Sequence, residues 1–135
     1  MDEEYIWKDR IKKSMQTSNK NLHLAQILLR VGLACVFLYA GIAAFITPTD
    51  WIGFIPNFLE VISEREVLLP IFSIFEIIVG LWLLLGKGLF WSSSLSSAAI
   101  LGIIITNLSL IDLTFRDIGL FFSSLALTVL SKKYD

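Results

Sequence analysis

A chain of 135 residues that is 56% hydrophobic, with a mean hydropathy of +0.75, holds more apolar surface than a soluble domain of this size buries. Its net charge of −1 comes from charges gathered between long apolar blocks instead of mixed through them, which is not the pattern of a soluble domain. What remains is an integral membrane protein that crosses the bilayer several times.

Residues 1–21 carry both signs of charge and no apolar core, so they do not read as a secretory signal peptide and are expected to form a cytoplasmic segment. The first apolar block, 22–46, exceeds the roughly 20 residues that cross a hydrocarbon core of about 30 Å as a helix. In the loop that follows, Pro48 and Pro56 bracket Trp51, Ile52, Phe54 and Ile55, a short segment expected to lie on the outer surface or cap the bundle. The second block, 67–85, runs into the turn Gly86-Lys87-Gly88, which Trp82 and Trp91 flank at headgroup depth. The third block spans 89–110, and Asn107 and Asp112 beyond its apolar part read as solvated turn residues. In the fourth block, 113–130, only 118–130 is uncharged, so Arg116 and Asp117 must lie in the outer end of the helix or at the interface. Residues 131–135 are left as a cytoplasmic tail. The period-2 alternation of barrel strands is missing. The predicted architecture is all-α: a four-helix transmembrane bundle, spans 22–46, 67–85, 89–110 and 113–130, forming one membrane domain over 22–130.

Orientation follows from the basic residues outside the blocks. Lys8, Arg10, Lys12, Lys13 and Lys20 precede the first span, Lys87 lies between the second and third, and Lys132 and Lys133 follow the fourth. Four spans put these three regions on one side, and the positive-inside rule makes that side, with both termini, cytoplasmic. Because Asp2, Glu3, Glu4 and Asp9 accompany the N-terminal basic cluster, it is expected to orient the protein or touch anionic lipid, not nucleic acid.

Little in the chain points to self-contained catalysis. A single cysteine, Cys35, rules out a dithiol relay or CxxC exchange within the chain. A single histidine, His23, rules out a bis-His haem, and no metal site is expected. Phosphate-binding loops and nucleophile elbows are absent from the sequence.

Polar residues inside the spans are the candidates for function, because an ionised group at membrane depth needs a partner or a purpose. Glu76 is central in the second span, with Ser73 and Gly80 on the same helical face. His23, Gln26, Arg30, Phe37 and Gly41 share a face of the first span, and Asp117, Ser124 and Thr128 share one of the fourth. In the third, Ser94, Ala98 and Gly102 repeat every four residues and predict a close-packing seam. Counted at roughly 1.5 Å per residue, Arg30 lies about 12 Å from the cytoplasmic edge set at Leu22, and Glu76 about 14 Å from the outer edge. Within a core of about 30 Å the two levels differ by a few Å, which predicts an Arg30–Glu76 ion pair. Arg116 and Asp117 would extend this polar network outward. The alternative is that Arg30 and Arg116 snorkel to the headgroups and Glu76 serves only to fix bundle register.

Arg30-Val31-Gly32, then Phe37-Leu38-Tyr39-Ala40-Gly41, Glu76 with Gly80, Leu83 and Gly86, and Phe115-Arg116-Asp117 at the start of the last span resemble the DoxX/DoxD-like family of small membrane proteins. The resemblance extends over about 22–130. It implies a four-helix bundle in a prokaryotic inner or plasma membrane, with members similar to the membrane subunit of a thiosulfate:quinone oxidoreductase and others that accompany oxidoreductases or stress-response complexes. Family members often carry a lysine soon after the glycine that ends the first motif, where this chain continues Ile42-Ala43-Ala44-Phe45.

Two readings follow. In the first, the chain is a membrane subunit of a quinone-linked oxidoreductase complex: Phe37, Tyr39, Glu76 and Asp117, with Gly41 and Gly80 beside them, line a cavity for a quinone head group, a carboxylate takes or gives its proton, and redox partner subunits supply electrons. In the second it is a non-catalytic module for assembly, stress response or small-solute passage. A homo-oligomer would be needed for a transport path, since four short helices enclose little volume.

Overall fold

Residues 3–21 contain neither glycine nor proline, so nothing in them stops a helix from running straight into the first span. The computed structural model, which describes residues 2–133, shows this outcome: α1 is a single helix, Glu3–Ile46, and the expected boundary at residue 22 is no break in the backbone. It stops at Thr47, whose backbone (φ −128°, ψ 67°) has left the helical region that the following Pro48 disfavours. The short helix α2, Pro48–Trp51, and two 3-10 turns, Ile52–Phe54 and Asn57–Val61, lead to α3, Arg65–Leu85. Then come α4, Leu89–Thr106, a 3-10 turn at Leu108–Leu110, and α5, Ile111–Ser131. Helix α4 thus ends four residues short of the expected 110, and α5 takes in Asp112, Arg116 and Asp117. Of the expected tail, Ser131 belongs to α5, and residues 134 and 135 lie outside the described residues.

Four helices, α1, α3, α4 and α5, are long and apolar enough to cross a membrane. They pack as two close pairs, α1 with α3 and α4 with α5, joined by lesser α1–α5 and α3–α4 contacts. Leu33, Phe37, Val79, Leu83, Ile100 and Leu127 meet in the shared core, while large apolar side chains on all four helices face outward, as a lipid solvent allows.

The two pairs are held by different means. Between α1 and α3 the backbones approach at glycines: a Cβ on Gly41 would lie 2.8 Å from the Ser73 carbonyl oxygen, and one on Gly80 would lie 3.2 Å from the Ala34 carbonyl oxygen. Between α4 and α5 the contact is hydroxylic. Ser97 Oγ and Ser124 Oγ are 2.7 Å apart, and Thr128 Oγ1 donates to Ser93 Oγ at 3.0 Å. This corrects the expected seam, because Ala98 and Gly102 are exposed and the space over Gly102 is open. The adjacent serine face is buried because it continues into Ile100 and Ile104, which complete the core, and because its hydroxyls find partners across the interface.

The segment after α1 caps the end of the bundle opposite the N-terminal segment, as its apolar residues predict. Ile55 packs with Ala44 and Leu69 in a second small core, with Trp51, Ile52 and Leu59 against it. Arg65 braces the cap through Asn57 Oδ1 and an ion pair with Glu60. Asn107 is not the solvated turn residue expected: it is buried, and its amide donates to the Phe54 carbonyl at 3.2 Å and the Ile103 carbonyl at 3.0 Å. Its two-donor amide ties the cap to the end of α4.

Candidate functional site

Successive residues of a helix turn by about 100°, which sets Glu76 in the middle of the α3 face formed by Leu69, Ser73, Val79, Gly80 and Leu83, the buried residues of that helix. The carboxylate therefore points into the bundle, where it is half-buried. No donor among the described residues hydrogen-bonds or ion-pairs with it. Ser73, one turn away on the same face, donates to its own helix at the Leu69 carbonyl, 2.8 Å.

The expected Arg30–Glu76 pair is not formed. Arg30 Nε donates to the Leu83 carbonyl at 3.1 Å and a terminal guanidinium nitrogen donates to the Leu84 carbonyl at 2.8 Å. These oxygens belong to the last turn of α3, where carbonyls lack helical partners and the helix dipole is negative, so a cation there satisfies both. Glu76 lies seven residues before Leu83, about 10 Å along the axis, beyond reach of the same guanidinium. Helix α3 ends beside Arg30, so the edge of the helix pair sits about two turns further along α1 than Leu22, which leaves Arg30 level with the end of α3 and not with Glu76.

Gly86 makes this arrangement possible. Its φ of +72° lets α3 end in a left-handed residue whose N–H bonds the Trp82 carbonyl at 3.2 Å. A side chain at Gly86 would also occupy the place of the guanidinium, since a Cβ there would be 2.5 Å from Arg30 Nη2. The Trp82 indole N–H reinforces the turn by donating to the Lys87 carbonyl at 2.7 Å. The sequence signalled an interfacial belt for Trp82; the structure gives its N–H a partner within the turn itself.

The remaining candidates separate into groups. Asp117 faces inward near the cap end of α5, its side chain 14% exposed, and is 3.5 Å from Nε of the outward-facing Arg116. Arg30 at one end, Arg116 with Asp117 at the other and Glu76 by itself between them do not join into one network. The expected pocket residues are likewise dispersed. Phe37 is part of the core, and Gly41 and Gly80 are occupied by the close approach of Ile77 and Leu38. Tyr39 is 70% exposed and packs edge-on against Trp51, with ring centroids 6.4 Å apart.

At the opposite end from the cap, Lys133 Nζ donates to Asn19 Oδ1 at 3.3 Å and Lys132 lies over the Phe90 ring at 5.6 Å. The start of α4, the end of α5 and the α1 segment before the bundle therefore meet at one end. Among the described residues no group of three or more His, Cys, Asp and Glu is placed to hold a metal ion.

Fold and composition together define a multi-span α-helical membrane protein. Comparison with known proteins adds no family to this class: no family model, curated protein or solved structure matches the chain.

Proposed function

We propose that this protein is a small accessory subunit of a membrane complex, in which Glu76 receives a hydrogen-bond donor that the described residues of the chain do not provide. The observation that carries this reading is a carboxylate at the centre of the inward face of α3 with no donor from its own chain among the described residues. A charged carboxylate at such depth costs roughly 2.5–3.5 kcal/mol on insertion scales, and an apolar residue would hold the position at no such cost. A cost that is not offset within the fold marks a role outside it.

The meeting of the basic regions at one end of the bundle supports an orientation with both termini cytoplasmic. The resemblance to DoxX/DoxD-like proteins supports a prokaryotic plasma membrane and partners of the oxidoreductase kind. It also brings in the quinone class, and a quinol hydroxyl would be a suitable donor to Glu76. The other residues expected around such a ring do not fit it, because Gly41 and Gly80 are filled and Tyr39 faces outward. The non-catalytic reading therefore stands first, with Glu76 accepting a hydrogen bond from a partner subunit.

Gentle extraction from the native membrane followed by native mass spectrometry tests the proposal. The expected result is a complex with further subunits that weakens in Glu76→Gln, with no stoichiometric quinone. A chain that carries one quinone, lost in Glu76→Gln, would replace the accessory reading with the redox one. A chain with neither subunits nor quinone would end both.

A further inference from the structure

Helix α3 ends at Leu85, α4 begins at Leu89 and α5 ends at Ser131, so the apolar spans stop together, at headgroup depth on the side away from the cap. Lys87, Lys132 and Lys133 stand exposed or at the rim of this end, and Arg30 lies just inside it, over Gly86. The acids of the N-terminal segment do not neutralise them. Glu4 and Asp9 pair with Lys8 and Lys13 of their own helix, and Asp9 lies about 15 Å along the axis before Asn19, the residue that Lys133 reaches. None of these four cations forms an ion pair among the described residues.

Gln26 adds an observation of a different kind. It is one turn from Arg30 and two turns from Asn19 on one face of α1, the face that the end of α5 approaches through Lys133. Gln26 is only 5% exposed, yet its amide has no hydrogen-bond partner among the described residues. The amide atoms are not fully enclosed, so they face an opening. Beside them Arg30 commits Nε and Nη2 to the Leu83 and Leu84 carbonyls and leaves Nη1 without a bond.

Unused guanidinium and amide N–H groups at headgroup depth, rimmed by lysines, match a lipid phosphate. The lysines also select among lipids. The ammonium of a choline or ethanolamine headgroup would be set against Lys132 and Lys133, whereas a glycerol headgroup brings no cation and offers hydroxyls to the amide oxygen of Gln26. We propose that the recess between α1 and the ends of α3 and α5 binds the headgroup of an anionic phospholipid, with its phosphate on Gln26 and Arg30 and with Lys132 and Lys133 at the rim. This site is separate from Glu76 and stands or falls without it.

Native mass spectrometry of the full chain in a neutral detergent tests the site, with phosphatidylglycerol, phosphatidylcholine and inorganic phosphate added in turn. The chain is expected to retain phosphatidylglycerol at least about ten-fold more tightly than phosphatidylcholine, with no displacement by inorganic phosphate. Lys132→Gln with Lys133→Gln should bring the two lipids to equal affinity. Gln26→Leu should weaken phosphatidylglycerol binding while the thermal unfolding midpoint holds or rises, because leucine fills the place without an unpaired amide. Equal binding of the two lipids by the unaltered chain would overturn the proposal. So would displacement by inorganic phosphate, which would make the ligand a free anion, or a Gln26→Leu chain that unfolds more easily yet keeps its lipid preference, which would make Gln26 a packing residue. A preference that emerges only in Asp135→Asn would mean that the chain's own acid fills the site, and would overturn the proposal as well.

Discussion

Replacing Gly86 with alanine probes the joint that closes α1 onto α3. The substitution has two consequences of separable size. Alanine at φ +72° costs about 1–2 kcal/mol for the left-handed backbone wherever it is placed. Its Cβ, 2.5 Å from Arg30 Nη2, also forces the guanidinium aside and breaks the bonds to the Leu83 and Leu84 carbonyls. A cation on a helix C-terminus is worth about 1–2 kcal/mol in partly buried geometry, so the whole change is expected to cost about 2–4 kcal/mol. In an Arg30→Gln background the guanidinium is already gone and Gly86→Ala should cost only the backbone part. The difference, a coupling of about 1–2 kcal/mol, is measured by a double-mutant cycle with reversible unfolding in mixed micelles followed by circular dichroism. Equal costs of Gly86→Ala in the two backgrounds would refute the capping role of Arg30.

Gly41→Ala is expected to destabilise by about 1–3 kcal/mol, because the added methyl meets a backbone carbonyl that cannot move away. Gly102→Ala, with open space around its Cβ, is the control and should be neutral or stabilising by up to about 1 kcal/mol. Both are read in the same unfolding assay. Asn107→Ala removes the amide that holds the Phe54 carbonyl and should cost about 1–2 kcal/mol. It should also speed proteolysis of the 47–66 cap by protease added from that side of a sealed vesicle, and unchanged cleavage would separate Asn107 from the cap.

Much of the bundle was legible because hydropathy acts over whole segments. The four spans, the inward face of α1 with Gln26, Phe37 and Gly41, and the inward direction of Glu76 follow from periodicity and from the cost of facing lipid. What periodicity cannot supply is relative height and rotation between helices. Counting from Leu22 pairs Arg30 with Glu76, yet α1 continues as helix past that point and the end of α3 fixes the true level. The seam expected on α4, Ser94-Ala98-Gly102, lies one residue off the buried face of Ser93 and Ser97, which continues into Ile100 and Ile104. Tyr39 sits beside the inward Phe37 motif in sequence but turns outward, where Trp51 of the cap receives it. The role of Asn107 depends on a carbonyl 53 residues away in the chain, which no local pattern encodes.

Whether the Glu76 carboxylate is unpaired within its own chain is decided by Glu76→Met, close in volume and without charge, in an unfolding titration. If no partner lies inside the chain, the variant should unfold with a free energy higher by about 1–3 kcal/mol, the relief of an unpaired group at membrane depth. A loss of about 3–5 kcal/mol, as when one member of a buried ion pair is removed, would mean that the chain itself satisfies Glu76 and would leave no place for an external donor.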